Sequence, residues 1–409
     1  MKQFDLEAEK TELLKNVRFL KSLNVVDFTF HKKCDELQDK FVTVRSAVHD
    51  AKACLWKPND FNDESSTIAH IENLKPKVVI CDDDQLKKLW EIYRLYVSTG
   101  IFNQTPGRFI KFLVVDTNQE ESRPLQHITR GVRLGYDFPW LVLGLGVVSS
   151  DFTAIKCRDD YIGWTPSQRN GSKGKHDGKL RHTANGATIV ATQPFGFNFL
   201  GGKLISALIT SEIIRNEWQL RFGDVLAGMT TTSLYGFPSM YDGLKWWKRL
   251  DLTKGKVPIQ PDAYIYKKWL QYVKKSKAKE FAEMMKQDED TSGPVTNYKG
   301  KVLDMIYEVA GIPIDEFQTG YERGVYFSSF YENTKEFLCG KIGEDELKLK
   351  PLFQGDVNTI MEWWRPEAIE RYKKLKAAGR LKPELQFYNH LGQMDLETAK
   401  ETFLGEVGR

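Results

Sequence analysis

One stretch limits the folds open to this chain more than any other, the run from Gly186 to Gly255. Ala187-Thr188-Ile189-Val190-Ala191-Thr192 is dense in β-branched residues and reads as a strand. It breaks at Gln193-Pro194-Phe195-Gly196-Phe197-Asn198, and Leu200-Gly201-Gly202-Lys203 then leads into an apolar-periodic segment, Leu204 to Trp218, with helical spacing. A second strand is expected over Val225 to Thr230, followed by a polar turn, Ser233-Leu234-Tyr235-Gly236. Strand, glycine turn, helix and strand make one βαβ-like unit. Its turn sets unpaired backbone N–H groups at a helix N-terminus, where phosphate or another anion is attracted.

At 409 residues the chain exceeds the size at which a single core stops growing, so two or three domains are expected. The formal net charge of +4 is too small for this length to imply a nucleic-acid partner by itself. Five cysteines, Cys34, Cys54, Cys81, Cys157 and Cys339, are odd in number, form no CxxC pair and have no histidine at metal-ligand spacing. They read as reduced thiols. The first residues are charged and lack the apolar core of a signal peptide, and no apolar run approaches the roughly 18 residues of a membrane span. The expectation is a cytoplasmic protein without membrane contact.

Helical spacing runs through residues 4–23 and about 31–56, with Pro58 ending the second segment and a loop over 59–66. Strands are expected near Val78–Cys81, over Ile110–Val115 and over the fully apolar Trp140–Val148, with a helix over 84–99 whose aspartates Asp82, Asp83 and Asp84 suit a cap. After Asp262 helices are expected over 267–286, 299–311, about 321–340, 356–378 and 395–406, with Trp363-Trp364-Arg365-Pro366 as a separating turn. Leu244-Lys245-Trp246-Trp247-Lys248-Arg249 reads as a short amphipathic helix. This organisation predicts an α/β (α+β) fold: an N-terminal helical arm over 1–75, a mixed central sheet over 76–261 and an all-α accessory domain over 262–409.

Two segments concentrate polar chemistry. Arg158, Asp159, Asp160 and Trp164 follow the apolar strand directly, and the loop after them carries Arg169, Lys173, Lys175, Lys179 and Arg181 among glycines and serines. Cations of this kind suit a phosphate backbone, and a solvated surface loop has the same composition. Asp116 and Asp151 stand at strand ends, where a metal-dependent nuclease places its carboxylates. His127 and His182 fall in no nucleophile–base arrangement.

Tyr161-Ile162-Gly163-Trp164 with Gln168-Arg169, then Gly201-Gly202-Lys203-Leu204 with Trp218, then Thr231-Thr232-Ser233-Leu234-Tyr235-Gly236 with Ser239 and Tyr241, resembles the DruA-type domain of the Druantia anti-phage proteins and their phage-encoded relatives. The resemblance covers about 105–260 and implies a setting of phage–host conflict and a DNA or nucleotide partner. A weaker resemblance is to the GNAT acyltransferases, including the Mom-like enzymes that modify adenine in DNA, and it implies a GNAT-like sheet. There the glycine turn, here Gly196, Asn198, Gly201, Gly202 and Lys203, holds the pyrophosphate of acyl-CoA, and a tyrosine after the next strand, Tyr241 or its competitor Tyr235, protonates the leaving thiolate. The leading Arg or Gln of that superfamily's pattern is missing here. Under this reading Asp159 or Asp160 is the base, Asn185 or Ser233 donates to the substrate, and Arg158, Trp164 and the loop cations hold DNA. The alternatives are a non-catalytic DNA-binding or assembly protein and the metal-dependent nuclease.

Overall fold

The computed structural model describes residues 4–25, 51–97, 107–118, 123–129, 132–172, 177–234, 236–253, 257–286, 298–313 and 321–383, together with 27, 28, 31, 32, 35, 318 and 319. The strands are β1 (Pro76–Ile80), β2 (Phe109–Asp116), β3 (Arg123–Thr129), β4 (Val132–Phe138), β5 (Leu141–Ser150), β6 (Thr183–Ala191), β7 (Gly228–Ser233), β8 (Lys248–Leu252), β9 (Val257–Pro258), β10 (Gln318–Thr319) and β11 (Gly324–Ser329). The helices are α1 (Leu6–Ser22), α2 (Glu64–Glu72), α3 (Asp84–Tyr93), α4 (Lys156–Ile162), α5 (Pro166–Asn170), α6 (Phe195–Asn198), α7 (Gly201–Leu208), α8 (Glu212–Phe222), α9 (Ala263–Ser276), α10 (Ala278–Lys286), α11 (Tyr298–Val309), α12 (Thr334–Leu338) and α13 (Val357–Ala377).

Seven strands form one mixed sheet in the order β1-β2-β5-β6-β7-β11-β8. Every neighbouring pair is antiparallel except β6 and β7, which run parallel. The expected α/β class is present. The apolar run Leu141–Val148 becomes β5, buried on both faces as its unbroken hydrophobicity requires. Gly144 lets α7 approach: a Cβ there would meet Ile205 Cδ1 at 2.6 Å. One face of the sheet packs Phe112, Leu143 and Ile189 under Ile205, Trp218, Trp364 and Tyr372 of the covering helices. The other packs Leu113, Val115, Leu145 and Val147 under Trp90 and Tyr93 of α3. Each aliphatic side chain so buried contributes about 1.5–3 kcal/mol.

Asp83 caps α3 by accepting from Leu86 N at 2.7 Å, as the aspartate run implied. Other expectations are corrected. The helix expected over Leu204–Trp218 is two helices, because Thr210 Oγ1 bonds back to Ala207 O at 2.7 Å and the chain turns at Thr210-Ser211. The amphipathic helix expected over 244–249 is a set of turns leading into β8, with Trp246 and Trp247 both buried. The helix expected over 321–340 is β11 followed by α12; Val325, Tyr326 and Phe327 suit a buried strand, and β11 lies between β7 and β8. Pro366 sits inside α13 and separates nothing. The expected loop over 59–66 gives way at Glu64 to α2, capped by Asp63. Most of the expected helix over 31–56, and all of that over 395–406, lie outside the described residues.

The amino-terminal helix α1 packs Leu13, Val17 and Leu20 against Trp269 of α9 and Ile306 and Tyr307 of α11, so a helical unit is built from the amino-terminal segment and the segment between β8 and β11. Asp262 joins them: it accepts from Asn16 Nδ2 at 2.7 Å and pairs with His31 Nε2 at 3.0 Å and Lys32 Nζ at 3.3 Å. Burial alone would raise its pKa, but these partners outweigh burial and hold it at about 2, below the ordinary 3.8. A depressed carboxylate contributes stability above its unfolded pKa and loses it as pH falls toward the folded one. Asp262 therefore contributes about 2 kcal/mol near neutrality, lost between about pH 5 and pH 2. In Asp262→Asn the acid limb of helical unfolding, followed by circular dichroism, will flatten over that window; an unchanged limb would rule out the linkage.

Candidate functional site

The parallel pair is where the sheet changes character. Pairing between β6 and β7 covers Thr183↔Gly228, Ala184↔Met229 and Asn185↔Thr230, and then stops. Beyond it the strands are bridged by a side chain, Thr231 Oγ1 donating to Gly186 O at 2.9 Å. On the other side of β6 the register with β5 shifts, Val147 facing Thr188 and Val148 facing Gly186, which leaves Ala187 as a bulge. Ala187 is the one exposed residue of this central strand. A connection between parallel strands that passes through helices, at the point where sheet direction switches, leaves a crevice at the carboxyl ends of the strands. The bulge stands beside that switch point.

Polar groups from three segments gather next to it, with Thr231, Tyr241 and Tyr326 buried. Ser239 Oγ donates to the Tyr326 hydroxyl at 2.8 Å, and that hydroxyl donates to Asp242 Oδ2 at 3.0 Å. Burial pushes the Tyr326 phenol up to about 12, so it stays protonated and passes hydrogen bonds without ionising. Ser239 and Asp242 are half-buried and Tyr326 is buried, so this hydrogen-bonded chain runs between two partly exposed groups through a buried one. Tyr241 lies deeper. Its hydroxyl is 3.3 Å from Thr231 Oγ1, its ring meets Tyr326 and Trp247 with centroids at 5.0 and 5.5 Å, and burial raises its pKa strongly. The sequence pointed to Tyr241 and Ser239 but not to Tyr326 or Asp242, because β11 read as a helix and no local pattern links residues so far apart.

The glycine turn is partly spent on packing. Asn198 is fully buried; its Nδ2 donates to Pro194 O and Lys382 O, and its Oδ1 accepts from Lys382 N. A Cβ on Gly201 would meet the Phe195 ring at 2.5 Å and Ala191 Cβ at 2.9 Å, and one on Gly196 would meet Gln193 Nε2 at 2.8 Å. Trp364 Nε1 donates to Leu200 O at 3.2 Å. Half-exposed Gly202 and Lys203 remain, at the first turn of α7, although the Lys203 N–H already donates to Leu200 O at 3.0 Å.

The residues around α4 are committed to one another. Asp159 accepts from Arg158 Nε at 2.9 Å, Arg158 Nη2 at 2.7 Å, Trp164 Nε1 at 2.9 Å and Arg169 Nη1 at 2.5 Å. Its oxygens are occupied by these four donors. Arg158 also meets Asp151 at 3.0 Å, both side chains without exposure, and Thr230 Oγ1 donates to Asp151 at 2.8 Å. Burial raises the Asp151 pKa against the pull of Arg158. Asp160 is exposed and paired with Lys156 at 2.6 Å. Arg181 pairs with Asp224 at 2.5 Å beside Arg108, and Lys179 lies 4.0 Å over the Phe337 ring. Ser233 is buried in β7. Lys173, Lys175 and Tyr235 lie outside the described residues.

The carboxylates expected of a nuclease do not meet. Asp116 pairs across from Leu141 and accepts from Trp56 Nε1 and Lys75 N, whereas Asp151 lies ten residues further along the same strand direction. At about 3.3 Å per residue they stand roughly 30 Å apart. Among the described residues no cluster of His, Cys, Asp and Glu fits a metal ion, and no helix is long and apolar enough to cross a membrane.

Residues 137–340 match the family model described as Druantia protein DruA. No curated protein and no solved structure matches the chain. The matched span holds the bulged strand, the glycine turn, the parallel pair and the Ser239–Tyr326–Asp242 path, together with α9 to α11 inserted between β8 and β11. This match places the chain in the DruA family, that of the Druantia anti-phage protein, with a defence-related role.

Proposed function

We propose that this protein is a defence-associated enzyme that transfers an acyl or related group to DNA bases or nucleotides, with its chemistry at the crevice between β6 and β7. One observation carries the reading: the parallel pair ends after three residue pairs, beside a bulge whose Ala187 is exposed in mid-strand. Bulges next to active sites re-aim backbone groups, and parallel switch points hold ligands. Gly202 and Lys203 are the groups placed to hold the phosphate of an acyl-CoA donor. Such a donor supplies an activated acyl group: a C–N bond to an exocyclic base amine forms as the C–S bond breaks, and the amine proton ends on the thiol. Ser239, Tyr326 and Asp242 supply a hydrogen-bonded route for that proton.

A second reading, DNA binding or assembly without catalysis, is favoured by a different observation. Tyr241 is sealed between Tyr326 and Trp247, and most polar groups of the glycine turn are spent on the protein itself. Mass spectrometry of nucleosides from DNA made with and without the protein separates the two. A new nucleoside mass supports transfer, and identical nucleosides support binding alone.

A further inference from the structure

Two elements bring lysines to one side chain away from the β6–β7 pair. Tyr161, on α4, is half-buried, and Lys335 of α12 sits 3.8 Å and Lys248 of β8 4.7 Å from its ring centroid. Lys350 belongs to the same group: burial lowers its pKa, Tyr161 and Glu332 act against that, and the charge of Lys248 adds to the lowering. None of the three lysines forms an ion pair among the described residues, although exposed lysines elsewhere in the chain do. β8 is the terminal strand of the sheet, and a charged residue on such a strand guards against strand addition. That accounts for Lys248 alone. Lys335 and Lys350 come from other parts of the chain, and gathering these charges, with Glu332 as their nearby counter-charge, costs stability unless a further anion completes the group.

We propose that this face binds the phosphate backbone of a nucleic acid. Lys248 and Lys335 occupy positions over the Tyr161 ring, so the contact is electrostatic, through phosphate oxygens, with no base stacked on the tyrosine while they remain there. The proposal rests on the DNA-acting part of the function proposed above and is independent of the transfer step.

The test is fluorescence anisotropy of labelled single- and double-stranded DNA oligonucleotides against the full chain over a range of salt. In the combined variant Lys248→Ala, Lys335→Ala, Lys350→Ala the slope of log affinity against log salt will fall by about 2–3, since each phosphate contact contributes about 0.9 for duplex and 0.7 for single strands. Affinity at low salt will fall at least tenfold. The control variant Lys274→Ala, Lys275→Ala, Lys279→Ala removes the same charge from the helical unit and will leave slope and affinity unchanged. Circular dichroism of both variants checks folding. Absence of DNA binding by the unmodified chain overturns the proposal, as does equal loss in both variants or equal competition by polyglutamate of the same charge. Unmodified nucleosides combined with lysine-dependent DNA binding would remove the transfer reading and leave this face standing.

Discussion

Asp151→Ala will lower unfolding stability by about 3–5 kcal/mol, because it breaks an ion pair with no solvent exposure on either side. Asp151 accepts from Arg158 at 3.0 Å and from Thr230 at 2.8 Å, at the point where β5 ends and the parallel pair begins. Truncation leaves the Arg158 guanidinium buried with one counter-charge fewer, held only by Asp159 and the Phe152 carbonyl. The double variant Asp151→Leu, Arg158→Met removes both charges and replaces them with apolar volume. It will recover most of the loss, since well-packed apolar replacements for buried pairs are commonly neutral or better. Urea unfolding followed by tryptophan fluorescence measures both. A double variant as unstable as the single one would show that the charges hold the site up and are not merely balanced there.

Trp364→Ala will cost about 3–5 kcal/mol, the usual range for removing a fully buried tryptophan. Trp364 packs on Phe195 with ring centroids 5.6 Å apart and donates to Leu200 O, so it fastens α13 over the glycine turn. Hydrogen exchange in this variant will show α13 and the turn losing protection before β5, which is buried by both layers. Trp364→Phe keeps a ring and gives up the hydrogen bond, and will cost about 1–2 kcal/mol. Equal exchange in all three elements would mean that α13 is not separately docked.

Such long-range fastenings explain how much of the molecule could be read from its residues. β5 and β2 were legible because unbroken apolar runs leave few alternatives, and the cap at Asp83 because its chemistry is local. β11 was not legible. Its aromatic, β-branched stretch sits between glycine-flanked segments of helical composition, and what makes it a strand is pairing with β7 and β8, far away in sequence. The same holds for the site. Ser239 and Tyr241 could be singled out from their neighbourhood, but Tyr326 and Asp242 enter only once β11 is in the sheet. The loop arginines read as phosphate contacts because composition cannot show that Asp159 and Asp224 already hold Arg169 and Arg181. The lysines around Tyr161 gave no local signal, being drawn from three elements up to about a hundred residues apart.

The claim that the β6–β7 crevice performs group transfer has one most direct test. DNA is prepared with the unmodified chain and with Ala187→Trp, which sets an indole at the exposed position of the bulge, and its nucleosides are weighed by mass spectrometry. A nucleoside of increased mass with the unmodified chain, and its absence with Ala187→Trp, is the expected result. Identical nucleosides in both preparations, or an increase that survives Ala187→Trp, would contradict it.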